Sequence, residues 1–166
     1  MKAIRTRSRR VFAFVSAIAL LLQMSPATAG GQSLDDNRPV EIRFTKWITT
    51  FPAMEGFAEG EISGPFVGHV FHQNTSANGS VTRLEAMYEV QDAERPFAAL
   101  IRGGAAPVYG GLLDGVILNG WRQGAPVHVE FKAARPATGG CIGAPPTVTL
   151  CFEGTIHIGR VPTRNN

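Results

Sequence analysis

The sequence predicts an all-β protein: a single antiparallel up-and-down barrel of about eight strands, with a β-sandwich as the alternative. Three observations predict it. Short runs alternate apolar and polar residues with period two, turn signals rich in Gly, Asn, Asp and Pro recur about every ten residues, and no long window carries a helical period. Glycine favours closure over a sandwich. All 19 glycines follow residue 29. Gly56, Gly60, Gly68, Gly115 and Gly154 fall inside strand-like runs, where glycine marks the bends and bulges that let a small sheet curl shut. Closure also removes the exposed sheet edges that a sandwich has to protect.

The chain divides into a signal segment at 1–29, a flexible lead-in at 30–38, a barrel domain at 39–160 and a short tail at 161–166. Lys2, Arg5, Arg7, Arg9 and Arg10 form a basic start free of acidic residues, and the apolar run from Val11 to Met24 is short for a membrane span. Ser25-Pro26-Ala27-Thr28-Ala29 supplies the small residues of a cleavage site after Ala29. The expected location is therefore the periplasm or the extracellular space, with no stable membrane span after cleavage. Ser8-Arg9-Arg10-Val11-Phe12 resembles the twin-arginine export signal, with the ordinary secretory route as the alternative.

Removing the signal reverses the charge. The chain has 16 basic and 13 acidic residues. Five of the basic residues lie in the first 29, leaving eleven against 13 and a formal charge near −2. A slightly acidic domain without a basic cluster argues against a nucleic-acid partner, which needs clustered Lys and Arg to displace counterions. Cys141 and Cys151 are the two cysteines. In an oxidising compartment they are expected to pair across a loop holding Gly143, Pro145 and Pro146. A redox pair or metal site has less support, because the spacing is not Cys-x-x-Cys and no histidine cluster surrounds them.

The strands follow in order. Val40 to Ile48 alternates, with Val40, Ile42 and Phe44 on one face and Glu41, Arg43 and Thr45 on the other. Ala53 to Ser63, broken by Gly56 and Gly60, is a weaker strand, and Phe66 to Gln73 is a third, closed by the turn Asn74 to Gly79. Ser80 to Val90 puts Leu84, Ala86, Tyr88 and Val90 on one face. Pro96 to Arg102 does the same with Phe97, Ala99 and Ile101, and a loop from Gly103 to Gly111 follows. Leu112 to Leu118 and Val127 to Phe131 form a hairpin around Asn119-Gly120 and Gly124, residues that tolerate positive φ. Val127, Val129, Phe131 and Ala133 oppose His128, Glu130 and Lys132. Arg135 to Pro146 is rich in Pro and Gly, and a last strand, Val148 to Ile158, turns Val148, Leu150, Phe152, Ile156 and Ile158 inward.

The succession of glycine-broken strands, Tyr88 in the strand after the Asn78-Gly79 turn, the run Leu113 to Gly124 and the closing Cys151 to Ile158 resemble secreted bacterial members of the allene oxide cyclase-like barrel group. That group is similar in shape to plant dirigent proteins and to lipocalin-type calycins. The resemblance spans about Val40 to Ile158 and implies an eight-stranded barrel with a mostly apolar interior. The plant cyclases' catalytic residues find no matching positions here, so it implies no activity.

Candidate site residues come from the faces. Asp114 shares a face with Leu112, Val116 and Leu118. If that face is interior, Asp114 is a carboxylate in an apolar setting; beside Gly110-Gly111 it would instead sit at a wet rim. Tyr88 lies on the apolar face of its strand and needs a partner when buried. Phe44, Tyr88, Phe97 and Phe152, with Asp114 as the polar group, make the expected ligand pocket, and Asp114 and Tyr88 are the catalytic candidates. Glu59 and Glu61 share a face as paired carboxylates or as a solvated edge. His69 and His72, three apart, fall on opposite strand faces unless a bulge intervenes. His128 with Glu130, and Glu153 with His157, read as the barrel's outside, so no metal or other cofactor is expected. Trp121 and Arg122 either cap the hairpin tip or close one end of the barrel.

Three functions follow. The first is an exported barrel binding a small apolar molecule. The second is a cyclase or isomerase of the allene oxide cyclase or dirigent type, working without metal or nucleotide. The third is a packed barrel acting through its surface as an interaction module. No nucleophile elbow, phosphate loop or dinucleotide fingerprint is present, so hydrolase, kinase and dehydrogenase readings have no support.

Overall fold

The computed structural model describes residues 38–106, 110–134, 141–148 and 150–159. The expected signal segment, the lead-in up to residue 37 and the tail lie outside the described residues. Eight strands, β1 (Val40–Thr50), β2 (Ala53–Gly60), β3 (Gly64–Thr75), β4 (Thr82–Val90), β5 (Phe97–Ala106), β6 (Gly110–Gly120), β7 (Pro126–Ala134) and β8 (Cys151–Ile158), pair antiparallel with their chain neighbours. β1 also pairs with β8 and closes the barrel. Every strand edge is thereby hydrogen-bonded, so the up-and-down order needs no protected edge.

The period-two pattern sets which side faces in. Val40, Ile42, Phe44, Phe66, Ala86, Tyr88, Val90, Phe97, Ala99, Ile101, Val127, Val129 and Ile156 are all buried in one continuous core. The strand faces expected to point inward on β1, β4, β5 and β7 do so. On β6 it is Leu113 and Ile117 that are buried, while Leu112, Asp114 and Leu118 are exposed. The expected loop at 103–111 is largely strand. Gly103 to Ala106 pairs with Leu113 to Gly110, because the ladder is carried by backbone groups and continues where side chains are missing. The last strand starts at Cys151, three residues later than expected.

Strand direction gives the barrel two different ends. At one end β1, β3, β5 and β7 begin, and Ile62, Phe66, Val90, Phe97, Ile117, Val127 and Ile158 fill the interior. Trp121, half-buried, packs against this core from the β6–β7 connection, with the guanidinium of Arg122 4.4 Å and that of Arg95 5.5 Å from its ring. Its amide donates to the Pro96 carbonyl at 2.8 Å, and Gly120 before it has φ +87°, a conformation that favours glycine. Trp121 therefore closes this end. At the other end lie the β1–β2 turn and the β3–β4 turn, and there the interior is not filled.

Candidate functional site: a buried lysine below an apolar cavity

The inward face of β1 continues one step past Phe44, to Lys46. Its neighbours in the ladder are Gly56 on β2 and Phe152 on β8, both inward positions. Lys46 is 2% exposed and is the buried charged residue of the described core. Its ammonium group lies 4.2 Å from the ring centre of Tyr88 and 4.3 Å from that of Phe131, with Phe44 and Phe152 at 5.4 and 5.9 Å. Nζ donates a hydrogen bond to the hydroxyl of Tyr88. Tyr88 is itself held edge-on by Phe66 at 4.9 Å and by Phe44 at 6.2 Å.

This is an expensive place for a cation. Aromatic faces attract it and offset part of the cost, yet among the described residues no carboxylate reaches it. Burial without an acidic partner disfavours the charged form and lowers the Lys46 pKa from its ordinary 10.5 to about 7. Near neutral pH the amine is therefore shared between its charged and free-base forms. An amine with a lowered pKa in a cleft is a candidate functional position.

Above the pair lies a cavity of about 170 Å³. Its walls are Met54, Leu84, Leu113, Phe131 and Phe152, with Lys46 and Tyr88 below. Ile48, Phe51 and Gln73 also line it and are exposed, so the cavity reaches solvent at this end. The size is comparable to cavities of about 150 Å³ that admit a benzene-sized guest. A Cβ at Gly154 on β8 would stand 2.1 Å from the Glu130 carbonyl oxygen, 2.7 Å from Cβ of Phe131 and 2.8 Å from Cζ of Phe44, so β7 and β8 pack there over a bare backbone.

The expected pocket residues separate into groups. Tyr88 and Phe152 line the cavity, and Phe44 packs beneath it, stacked on Phe66 at 5.4 Å. Phe97 is buried at the Trp121 end, paired with Val90 and Gly120, so it lies away from the cavity. Asp114 is a correction. It is on the outer face, paired with Arg102 and His128, because Leu113 and not its own face turns inward. There its Oδ1 bonds Nδ1 of His128 at 2.7 Å, and Glu130 meets the other ring nitrogen at 3.1 Å. Burial would lower the His128 pKa, but the two carboxylates outweigh it and raise it above the ordinary 6.5.

The other candidates are accounted for on the outside. A bulge between Val70 and His72 returns His72 to the side of His69, opposite Glu85 and Met87 on the outer face. Among the described residues no group of three or more His, Cys, Asp and Glu is placed to hold a metal ion. Glu61 takes a two-point bond from Arg38, which holds its carboxyl below the usual range, while Glu59 pairs across from Arg43. A wide, open depression of about 950 Å³ runs over the outside among Arg43, Glu59, Glu130, Lys132 and Glu153. Its opposite charges stand in solvent, as on any outward strand face. Cys141 and Cys151 stand at disulfide distance, Cα to Cα 6.0 Å, on the outer side where Trp47 packs against Phe57.

With this geometry in place, the chain was compared with known proteins. No protein-family model, no curated protein and no solved structure matches it. The site therefore has to be read from its own residues. Lys46 is the residue that face-by-face reasoning passed over, and the signal for it was present. It is the next even-numbered position after Val40, Ile42 and Phe44 on a strand expected to run to Ile48.

Proposed function

We propose that the protein binds a small apolar molecule in the cavity at one end of the barrel, with the molecule's polar group against Lys46 and Tyr88. One observation carries this reading: an apolar, solvent-reaching cavity whose floor holds a single amine and a single hydroxyl. Binding sites of this kind are mostly apolar with a few placed polar groups. A barrel packed solid to serve as an interaction module would have no use for an amine kept from water at such cost. We read the protein as exported, on the basic and apolar N-terminal run with its Ala27-Thr28-Ala29 site; a cysteine pair at disulfide distance suits an oxidising compartment. The closed eight-strand barrel with its apolar interior also suits the resemblance to the allene oxide cyclase-like group.

A second reading, a cyclase or isomerase, is favoured by the same pair. A partly neutral amine touching a phenol can pass a proton to or from a bound reactant. Binding is tested first. Saturation-transfer NMR on the mature protein with 1-hexanol and hexanoic acid should detect both, and Leu84→Trp, which fills the cavity, should abolish the signal while the fold is kept. Folded wild-type protein that takes up neither compound overturns the reading.

A further inference from the structure

We propose that Lys46 captures small apolar aldehydes or ketones as an imine, with Tyr88 moving the protons. The proposal rests on the binding reading above and names the ligand's head group.

Across the eight strands, the inward positions of the described residues carry two titratable groups, Lys46 and Tyr88. Gln73 and Thr82 add neutral polar groups nearer the mouth. No carboxylate faces Lys46 from any strand, so nothing in the barrel holds it as an ammonium ion by pairing. A free-base amine is a nucleophile, and desolvation in an apolar pocket is a known way to activate one. The amine forms part of the cavity lining, so an incoming carbonyl carbon can approach it. Tyr88 touches the same nitrogen, placing a proton donor and acceptor beside the bond that forms.

The step balances within these groups. The Lys46 Nζ lone pair attacks the carbonyl carbon, and the C=O π pair moves to oxygen. Tyr88 gives its proton to that oxygen and takes one from nitrogen, leaving a neutral carbinolamine. Tyr88 then protonates the hydroxyl, nitrogen expels it as water, and the phenolate takes the remaining N–H proton. The products are one imine and one water, and Tyr88 is restored. The exposed mouth at Ile48, Phe51 and Gln73 gives the water a way out.

The sequence supplies its own control. Its lysines are Lys2, in the expected signal, Lys46 and Lys132. Lys132 is exposed on the outer face of β7. The mature protein is incubated with hexanal at pH 7 and then treated with borohydride, and peptide mass spectrometry locates any adduct of the aldehyde's mass less one oxygen. We expect Lys46 to be labelled at least about tenfold more than Lys132, because its amine is desolvated in the lining of an apolar cavity that holds the aldehyde, whereas Lys132 stands in solvent. Tyr88→Phe should slow labelling at Lys46 at least about tenfold, on the scale of a lost general acid–base group. Lys46→Arg should show no adduct at that position, and saturation transfer from 1-hexanol reports that its cavity is still formed. Binding of 1-hexanol and hexanal by wild type with no adduct at Lys46, or equal labelling of Lys46 and Lys132, overturns the imine and leaves the binding reading intact. Failure to bind either compound overturns both.

Discussion

A lysine among four aromatic rings is the residue on which this account turns, and its cost can be measured. Because the pKa of Lys46 is about 7 folded and 10.5 unfolded, the unfolded chain binds more protons between those values. Stability therefore rises with pH across that window, by up to about 4–5 kcal/mol from this group, and the penalty is fully present below pH 7. Lys46→Met should be more stable than wild type at pH 7, and the difference in urea-unfolding free energy should shrink steadily towards pH 10.5. Asp114→Asn, on the outside, should leave ligand uptake unchanged and lower the His128 pKa as followed by NMR, since it removes one of the two carboxylates that raise it. These two residues also show what a sequence discloses. Alternation alone pointed to Lys46, but a charged residue is rarely buried without a partner, so the pattern was not followed one step further. Asp114 misled for the opposite reason. β6 carries apolar residues on both faces, Leu112, Val116 and Leu118 outside and Leu113 and Ile117 inside, so hydrophobicity could not say which face was the core.

At the level of the strand, the legible features were those governed by period and by turn chemistry. β4 and β7 have one clean apolar face and a polar one opposite, β1 has the same as far as Phe44, and their orientation follows from it. What alternation cannot register is an extra residue. The bulge at Val70 to His72 moves His72 to the outer side, and another opposite Ala98 and Ala99 shifts the register of β6. Inward glycines were legible as positions but not as neighbours. Gly154 lies between Phe44 and Phe131 and against the Glu130 carbonyl, so a methyl group there has to displace the β7 backbone as well as these side chains. Gly154→Ala should cost at least about 1–3 kcal/mol in chemical denaturation, because the added methyl meets the Glu130 carbonyl and forces β7 and β8 apart beside Phe44 and Phe131.

The barrel as a whole is asymmetric, sealed by Trp121 at one end and hollow above Lys46 at the other. Closure itself was legible, since about eight short strands with frequent glycines have few other ways to hide their edges. The cavity was not, because it depends on which large and small residues meet across the interior. The cysteine pair lies outside this interior, with Cys141 in the β7–β8 connection and Cys151 at the start of β8. Cys141→Ser should keep the fold and lose about 3 kcal/mol, the chain-entropy value for a loop of this length, as judged by circular dichroism and thermal unfolding. The central claim, that the hollow end holds a small apolar molecule at Lys46, is tested most directly by native mass spectrometry. The protein would be purified from its native host, with solvent extraction of whatever it carries. The account predicts a bound compound of defined mass that is absent from Leu84→Trp. A wild-type protein that is folded, empty and unable to take up an apolar compound would contradict it.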